Sequence, residues 1–204
     1  MSKSFVHLHA HTEYSMLDGA AKINDYLKKV KELNQPAAAI TDHGNLYGAM
    51  EFVQKANDLG IKPIIGYEAY ITPGSRFDKP DRENNKRYHL TLLAENNIGY
   101  QNLVELVSKA YTEGYYYKPR IDYELLEQHH DGLIALSGCL GGELAQHLAP
   151  DGSVEEGNTS NERSFEKALE VAKKYQSIFG KNNYFIEIHN HGIKQQLDIL
   201  DDLV

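Results

Sequence analysis

The sequence predicts an α/β fold with parallel strands, six βα units that read as a barrel truncated before closure. Three observations carry this. Short apolar runs alternate with amphipathic stretches of helical period along the 204 residues, the pattern of βα units. The apolar runs are near-continuous, as in strands covered on both faces. The final stretch, residues 193–204, opens a helix that reaches the end of the chain with no glycine cap and no terminal loop.

Each element has its own signal. Residues 5–10 form the first expected strand. Ile23, Tyr26, Leu27 and Val30 fall at i, i+3, i+4 and i+7, one face of a helix. Residues 37–40 are a small buried strand ending at Thr41-Asp42-His43-Gly44. Residues 46–59 are helical, with Gly60 placed to end the helix. Residues 62–71 are a strand, and Pro63 suits its start. Residues 73–87 are polar with two prolines and read as a loop. Residues 88–94 are a strand, and Leu103, Leu106, Val107 and Ala110 form the next helical stripe. Residues 115–120 are an aromatic loop and residues 123–129 a short helix. Residues 133–136 are a strand ending at Ser137-Gly138-Cys139. Residues 149–161 are a polar loop. Phe165, Ala168, Leu169 and Ala172 make another helix face, and residues 184–189 the last strand. No internal repeat or low-complexity tract interrupts the series.

The composition is that of one ordinary globular domain, 41% hydrophobic and 25% charged. With 21 basic and 29 acidic residues the chain carries −8 at pH 7. That excludes nucleic-acid binding by bulk electrostatics, because no basic surplus displaces counterions. It leaves open a nucleic-acid site whose positive charge comes from metal ions. The single cysteine excludes an internal disulfide framework and suits a reducing compartment. No apolar run reaches a membrane span, and the first residues lack a signal-peptide core. A cytoplasmic location and no membrane partner are expected.

The ten histidines matter by placement. His7, His9 and His11 alternate, so they share one side of a strand, either as metal ligands or as an exposed polar face. Further potential ligands stand at or after nearly every strand end: Asp18, Asp42 and His43, Glu68, His89, Cys139, then His189 and His191. Strand C-termini converge on one site in parallel α/β folds. Mixed imidazole, carboxylate and thiolate donors suit zinc, manganese or iron. Seven or more ligands exceed what one tetrahedral ion uses, so two or three divalent ions are expected, with Glu68 as a candidate bridge. Cys139 is also readable as a buried small hydrophobe or a nucleophile. His129, His130 and His147 read as surface residues, and the roles of His7, His189 and His191 stay open. Arg120 is a candidate phosphate clamp or a surface ion-pair partner. The neighbouring tyrosines 115–117 either stack bases or pack.

These residues carry a resemblance. The stretch Phe5-Val6-His7-Leu8-His9-Ala10-His11-Thr12-Glu13-Tyr14-Ser15-Met16-Leu17-Asp18-Gly19 resembles the opening of the PHP domain (polymerase and histidinol phosphatase). The form it resembles is the one carried by bacterial replicative DNA polymerase III alpha subunits. Thr41-Asp42-His43-Gly44-Asn45, Gly66-Tyr67-Glu68-Ala69-Tyr70, Tyr88-His89-Leu90-Thr91-Leu92 and Leu133 to Leu140 are similar to that family's later motifs, as is Lys118-Pro119-Arg120-Ile121-Asp122. The family's metal positions match at His9, His11, Asp18, His43, Glu68, His89 and Cys139. The family pattern continues to an Asp-x-His pair beyond Val204, so the resemblance implies that residues 1–204 are a C-terminally incomplete PHP domain, a distorted (β/α)7 barrel truncated before its last strand or strands, without polymerase domains.

The resemblance implies a parent DNA-directed DNA polymerase of chromosomal replication, partnered by the primer 3′ end of DNA and by other replisome subunits. It implies a multi-metal phosphoesterase acting as a 3′–5′ proofreading exonuclease. The metals would supply the hydroxide and no separate catalytic residue is assigned. The alternatives are a metal-stapled scaffold that docks other subunits, a stand-alone phosphatase such as histidinol phosphatase, or an amidohydrolase-type enzyme. Against the last, this sequence has no carbamylatable lysine at a mid-barrel strand end.

Overall fold

The computed structural model describes residues 5–16, 18–150 and 162–204. Most of the loop expected over 149–161 lies outside them. Helix α1 (Ile23–Glu32) leads to strand β1 (Ala37–Ile40), helix α2 (Ala49–Asp58) and strand β2 (Lys62–Ile71). Strand β3 (Tyr88–Ala94) and helix α3 (Asn97–Thr112) follow, then strands β4 (Tyr115–Tyr116) and β5 (Lys118–Ile121). Helix α4 (Tyr123–Gln128), strand β6 (Leu133–Leu136), helices α5 (Glu143–Leu148) and α6 (Phe165–Phe179), strand β7 (Tyr184–Phe185) and helices α7 (Lys194–Asp198) and α8 (Leu200–Leu203) complete the order.

The helices begin where side chains satisfy their first amides. Asn96 accepts from Ile98 N and Gly99 N, Asp122 from Leu125 N, and Ser164 from Lys167 N. The α1 start lacks such a cap, and Glu13 from the preceding loop accepts from Ile23 N instead, at 2.9 Å. Helix α2 starts three residues later than its apolar pattern. The Asn45 side chain holds a turn ahead of it by accepting from Tyr47 N.

Seven strands form one mixed sheet in the order β4-β5-β2-β3-β6-β7, with β1 also on β2. The pairing corrects the all-parallel expectation. β1 and β5 lie parallel to β2, and β7 parallel to β6, but β3 runs antiparallel to both β2 and β6. Residues 72–87 connect β2 to β3 with no helix, so there is no crossover to return the chain in the parallel sense. Residues 115–120, expected as a loop, belong to a hairpin over residues 115–121 turned at Tyr117.

The first expected strand is irregular. His7 and Ala10 carbonyls accept from Ala39 N and Thr41 N, at 3.2 and 2.9 Å. Ala10 N, however, donates to the Thr41 hydroxyl, replacing a ladder bond. The last strand is likewise cut to two residues, because Glu187 N donates to Ser137 Oγ. The expected terminal helix is two short ones.

The sheet curls like a barrel, and the alternation along its strands divides its faces. Tyr67, Ala69, Ile71, Leu90, Leu92 and Ala135 pack with residues of α3 to α6 in the main core. Ile64, Leu93, Ile134 and Leu136 sit on the concave face with Ala39. The same concave face carries Glu68, Tyr70 and His89 further along β2 and β3, where Glu68 pairs with Thr91 and Tyr70 with His89. A smaller core of Ile23, Leu27, Val30, Ala38, Ile40 and Phe52 fixes α1 and α2 to β1.

Candidate metal centre

The centre is built around Glu68, which is fully buried at the concave face of β2. Its Oε2 lies 3.2 Å from His9 Nε2, 3.0 Å from His11 Nε2 and 3.1 Å from His43 Nδ1. Its Oε1 lies 3.1 Å from His89 Nδ1 and accepts from Cys139 Sγ at 3.8 Å. Asp18 Oδ2 is 3.0 Å from His43 Nε2. The rings of His11 and His43 stack at 4.2 Å, 7° from parallel. Thus His9, His11, Asp18, His43, Glu68, His89 and Cys139 meet in one place.

Each arrives on a defined piece of backbone. His9 and His11 are two apart on the first segment. His43 follows β1 and is held beside Glu68 by a parallel bridge, in which Glu68 N donates to Asp42 O and Gly44 N to Glu68 O. Gly44 has φ +65 there, and a Cβ would meet Pro119 at 2.9 Å. His89 N donates to Gly141 O, which brings the turn after β6 over the centre. Gly138 in that turn has φ +82, delivering Cys139.

Asp42, one of the strand-end candidates, has a different task. Its carboxylate accepts from Thr12 N, Thr12 Oγ1 and Ser15 Oγ at 2.6–2.7 Å, so it pins the loop after His11. His7 is exposed and packs edge-on to Phe5, away from the Glu68 cluster. His129, His130 and His147 lie on or beside α4 and α5, outside the centre. Arg120 corrects the phosphate-clamp expectation. It is 1% exposed, and its guanidinium donates to the carbonyls of Gly114, Arg76 and Asp78 and to Asn85 Oδ1. It ties the 72–87 loop to the hairpin and faces no cleft.

Sequence reasoning missed Glu187. Its Oε1 is 2.8 Å from His9 Nδ1 and 2.7 Å from His189 Nε2. The signal was present: Glu187 and His189 alternate as His9 and His11 do. His191 stands next to His189, rings 5.2 Å apart.

Burial alone would raise Glu68, but His89, His11 and His9 outweigh it and hold the carboxyl well below its usual range. Burial lowers His43 to about 4, so it is a neutral imidazole ready to donate a lone pair. Burial opposes protonation of His9 too, yet Glu187 and Glu68 raise it well above the usual value. Burial would raise Glu187, and hydrogen bonds from His189 and His9 bring it down to about 2.

The residues present fit divalent metals. Glu68 Oε2, His43 Nδ1 and Glu187 Oε2 are buried and make no hydrogen bond, where buried polar atoms ordinarily do. Donor atoms gather within 4.8 Å in His9/His11/Glu68, His11/Asp18/His43, His43/Glu68/His89 and His9/Glu187/His189. Glu68 belongs to two of these groups, the geometry of a bridging carboxylate. The centre opens into a cleft of about 770 Å³. Among the described residues no helix is long and apolar enough to cross a membrane.

The sequence is similar to those of known proteins. The PHP domain profile matches residues 7–191. The chain is 52% identical to the DNA polymerase III subunit alpha of Thermus aquaticus over 196 residues, 94% of this chain and 15% of that protein. It is 47% identical to the subunit of the same name from Treponema pallidum, over 98% of this chain and 16% of that protein. The chain therefore spans about a sixth of the length of such relatives. An amidohydrolase structure from Chromobacterium violaceum overlaps 96% of this chain and 54% of its own, at 13% identity and a TM-score of 0.39, too slight a likeness to build on. The histidines and carboxylates gathered on Glu68 lie within the matched stretch, and the chain belongs to the PHP domain family.

Proposed function

We propose that residues 1–204 are the PHP portion of a DNA polymerase III alpha subunit, and that its centre is a phosphoesterase trimming the 3′ end of DNA during chromosomal replication. One observation carries this reading: six potential ligands gather around the buried carboxylate of Glu68, the seven together coming from five segments of chain, at the floor of an open cleft. The donor set fits two or three divalent ions of zinc, manganese or iron. Bound there, such ions supply Lewis acidity toward a phosphodiester and activate water near neutral pH.

The chain's own residues do the rest. Glu68, His9, His11, His43, His89, Asp18 and Cys139 would hold the ions, and Asp42 fixes the loop that carries His11 and Asp18 relative to β1. His43, neutral down to about pH 4, offers its lone pair across the physiological range. The natural reaction for this set is 3′–5′ exonucleolytic proofreading. Polymerisation belongs to regions of the parent protein outside this chain, and cytoplasmic replisome subunits are its partners.

The test is excision of a 3′-terminal mismatch by the complete alpha subunit, compared with its His9→Ala variant. Loss of excision with primer extension retained supports the reading, and equal excision overturns it.

A scaffold role has one observation in its favour. The ligands come from the first segment, β1, β2, β3 and the turn after β6, so metal would staple five pieces of chain. Unfolding on chelation, with no excision under any metal, would favour it.

A further inference from the structure

The cleft above the metal centre is walled by tyrosines. Tyr47 comes from the turn before α2, Tyr111 from the last turn of α3, and Tyr115 and Tyr117 from the β4–β5 hairpin. They are exposed by 63%, 38%, 56% and 63% respectively. Exposed rings scattered singly need no explanation, but rings from three elements gathered on one cleft mark a binding surface. The wall is pre-arranged: Tyr47 OH donates to Tyr111 OH at 3.3 Å, and Tyr111 and Tyr115 stack at 6.0 Å, 25° from parallel.

Tyr117 adds an independent sign. It sits at φ +60, a left-handed conformation that glycine or asparagine adopts far more readily than an aromatic residue. Strain of this kind persists where the surroundings hold it, commonly at ligand sites. The hairpin tip thus keeps a large ring over the cleft at a backbone position unsuited to it.

The wall is continuous with the metal centre. Tyr70 lies 5.8 Å from His43, 19° from parallel, and 5.3 Å from His89. Lys118 Nζ is 3.2 Å from Tyr70 OH. Among the described residues it is the only lysine or arginine lining the cleft. A chain of net charge −8 cannot hold DNA by bulk attraction. Ring faces, one ammonium and a metal centre can hold a phosphodiester whose bases are free to stack.

We infer that Tyr47, Tyr111, Tyr115 and Tyr117 form a stacking subsite for unpaired nucleobases of a single-stranded DNA end, with Lys118 beside its backbone. The inference rests on the phosphodiester reading of the centre. A paired base hides its faces within the duplex, so this wall selects frayed or mismatched ends over paired ones. Stacking on an aromatic ring contributes about 1–3 kcal/mol per base and tolerates any sequence.

The test is binding of the full 204-residue chain to fluorescent thymidylate hexamers with cleavage-resistant phosphorothioate linkages, against abasic hexamers with the same backbone. The expected result is at least about fivefold tighter binding of the thymidylate strand. Tyr117→Gly, which removes the ring and relieves the backbone, should erase most of that preference, while Tyr117→Phe retains it. Unchanged thermal unfolding and manganese content show that the variants are folded. Equal binding of the two strands by the unmodified chain, or an unchanged preference in Tyr117→Gly, overturns the inference. Hydrolysis of bis(p-nitrophenyl) phosphate, a diester without bases, is measured on the unmodified chain. Failure there with the base preference intact removes the phosphoesterase reading and leaves the stacking subsite standing.

Discussion

His9 Nδ1 and Glu187 Oε1 stand 2.8 Å apart, and this contact joins the two ends of the sheet. The segment holding His9 runs beside β1 at one edge. Glu187 follows β7 at the other. A carboxylate on the far nitrogen of a ligating histidine fixes its ring and tautomer, and losing such a partner weakens metal binding about 10–100-fold. Glu187→Gln should therefore lower metal affinity by about that factor while leaving the seven residues gathered at Glu68 in place. Metal titration followed by competition with a chelator measures it, and unchanged affinity would show that Glu187 does not orient His9.

Metal itself should stabilise the fold. A ligand that binds only the native state at 100 times its dissociation constant adds about 2.7 kcal/mol. Urea unfolding with manganese at that excess should shift by about this amount, and excess EDTA should reverse it. His9→Ala should reduce the shift.

Away from the centre, Glu143 is buried and accepts from the hydroxyls of Tyr123 and Tyr175. Burial raises its pKa, against the hydrogen bonds from the two tyrosines. The sign follows from proton counting. Above pH 4.5 the unfolded chain has released this proton while the folded chain still holds it. The group's contribution to stability therefore falls with rising pH until the folded pKa is passed. Glutamine keeps an acceptor for the tyrosines and carries no charge, so the stability of Glu143→Gln relative to the unmodified chain should rise between pH 4.5 and neutrality. Paired urea titrations at the two pH values check this, and a constant difference contradicts it.

Arg120 should behave as a structural residue. Its guanidinium makes four hydrogen bonds, three of them buried, and lysine cannot reproduce the fork. Arg120→Lys should cost about 2–4 kcal/mol of unfolding free energy without changing metal affinity. A loss of phosphodiester binding at unaltered stability would restore the clamp.

Much of this was legible in the sequence where one local signal dominates. The i, i+3, i+4, i+7 stripe of α1 marks its element because one face packs on one core, and the apolar run of β2 because both its faces are covered. The gathering of the candidate donors was legible from their residue types, but not from strand ends alone: His89 stands at the start of antiparallel β3 and Glu68 within β2. What escaped depended on partners distant in sequence. The antiparallel turn of β3 follows from a helix-free connection, which a pattern of alternating elements does not distinguish from a crossover. Arg120 looks free because three of its four acceptors are backbone carbonyls, which leave no trace in side-chain chemistry. Glu187 looks like an ordinary strand residue until the sheet curls and brings it to His9, 178 positions away.

The alternation along β2 and β3 links folding to chemistry. Slipping this pair by one residue would turn Glu68 and His89 into the helix-packed layer and present Tyr67 and Ala69 to the cleft. Such a misaligned sheet buries a carboxylate among leucines and loses every ligand on those strands at once. Gly66 guards the alignment, since a Cβ there would lie 2.3 Å from Leu92 O. A chain that binds metal at Glu68 has thereby proofread its own strand alignment.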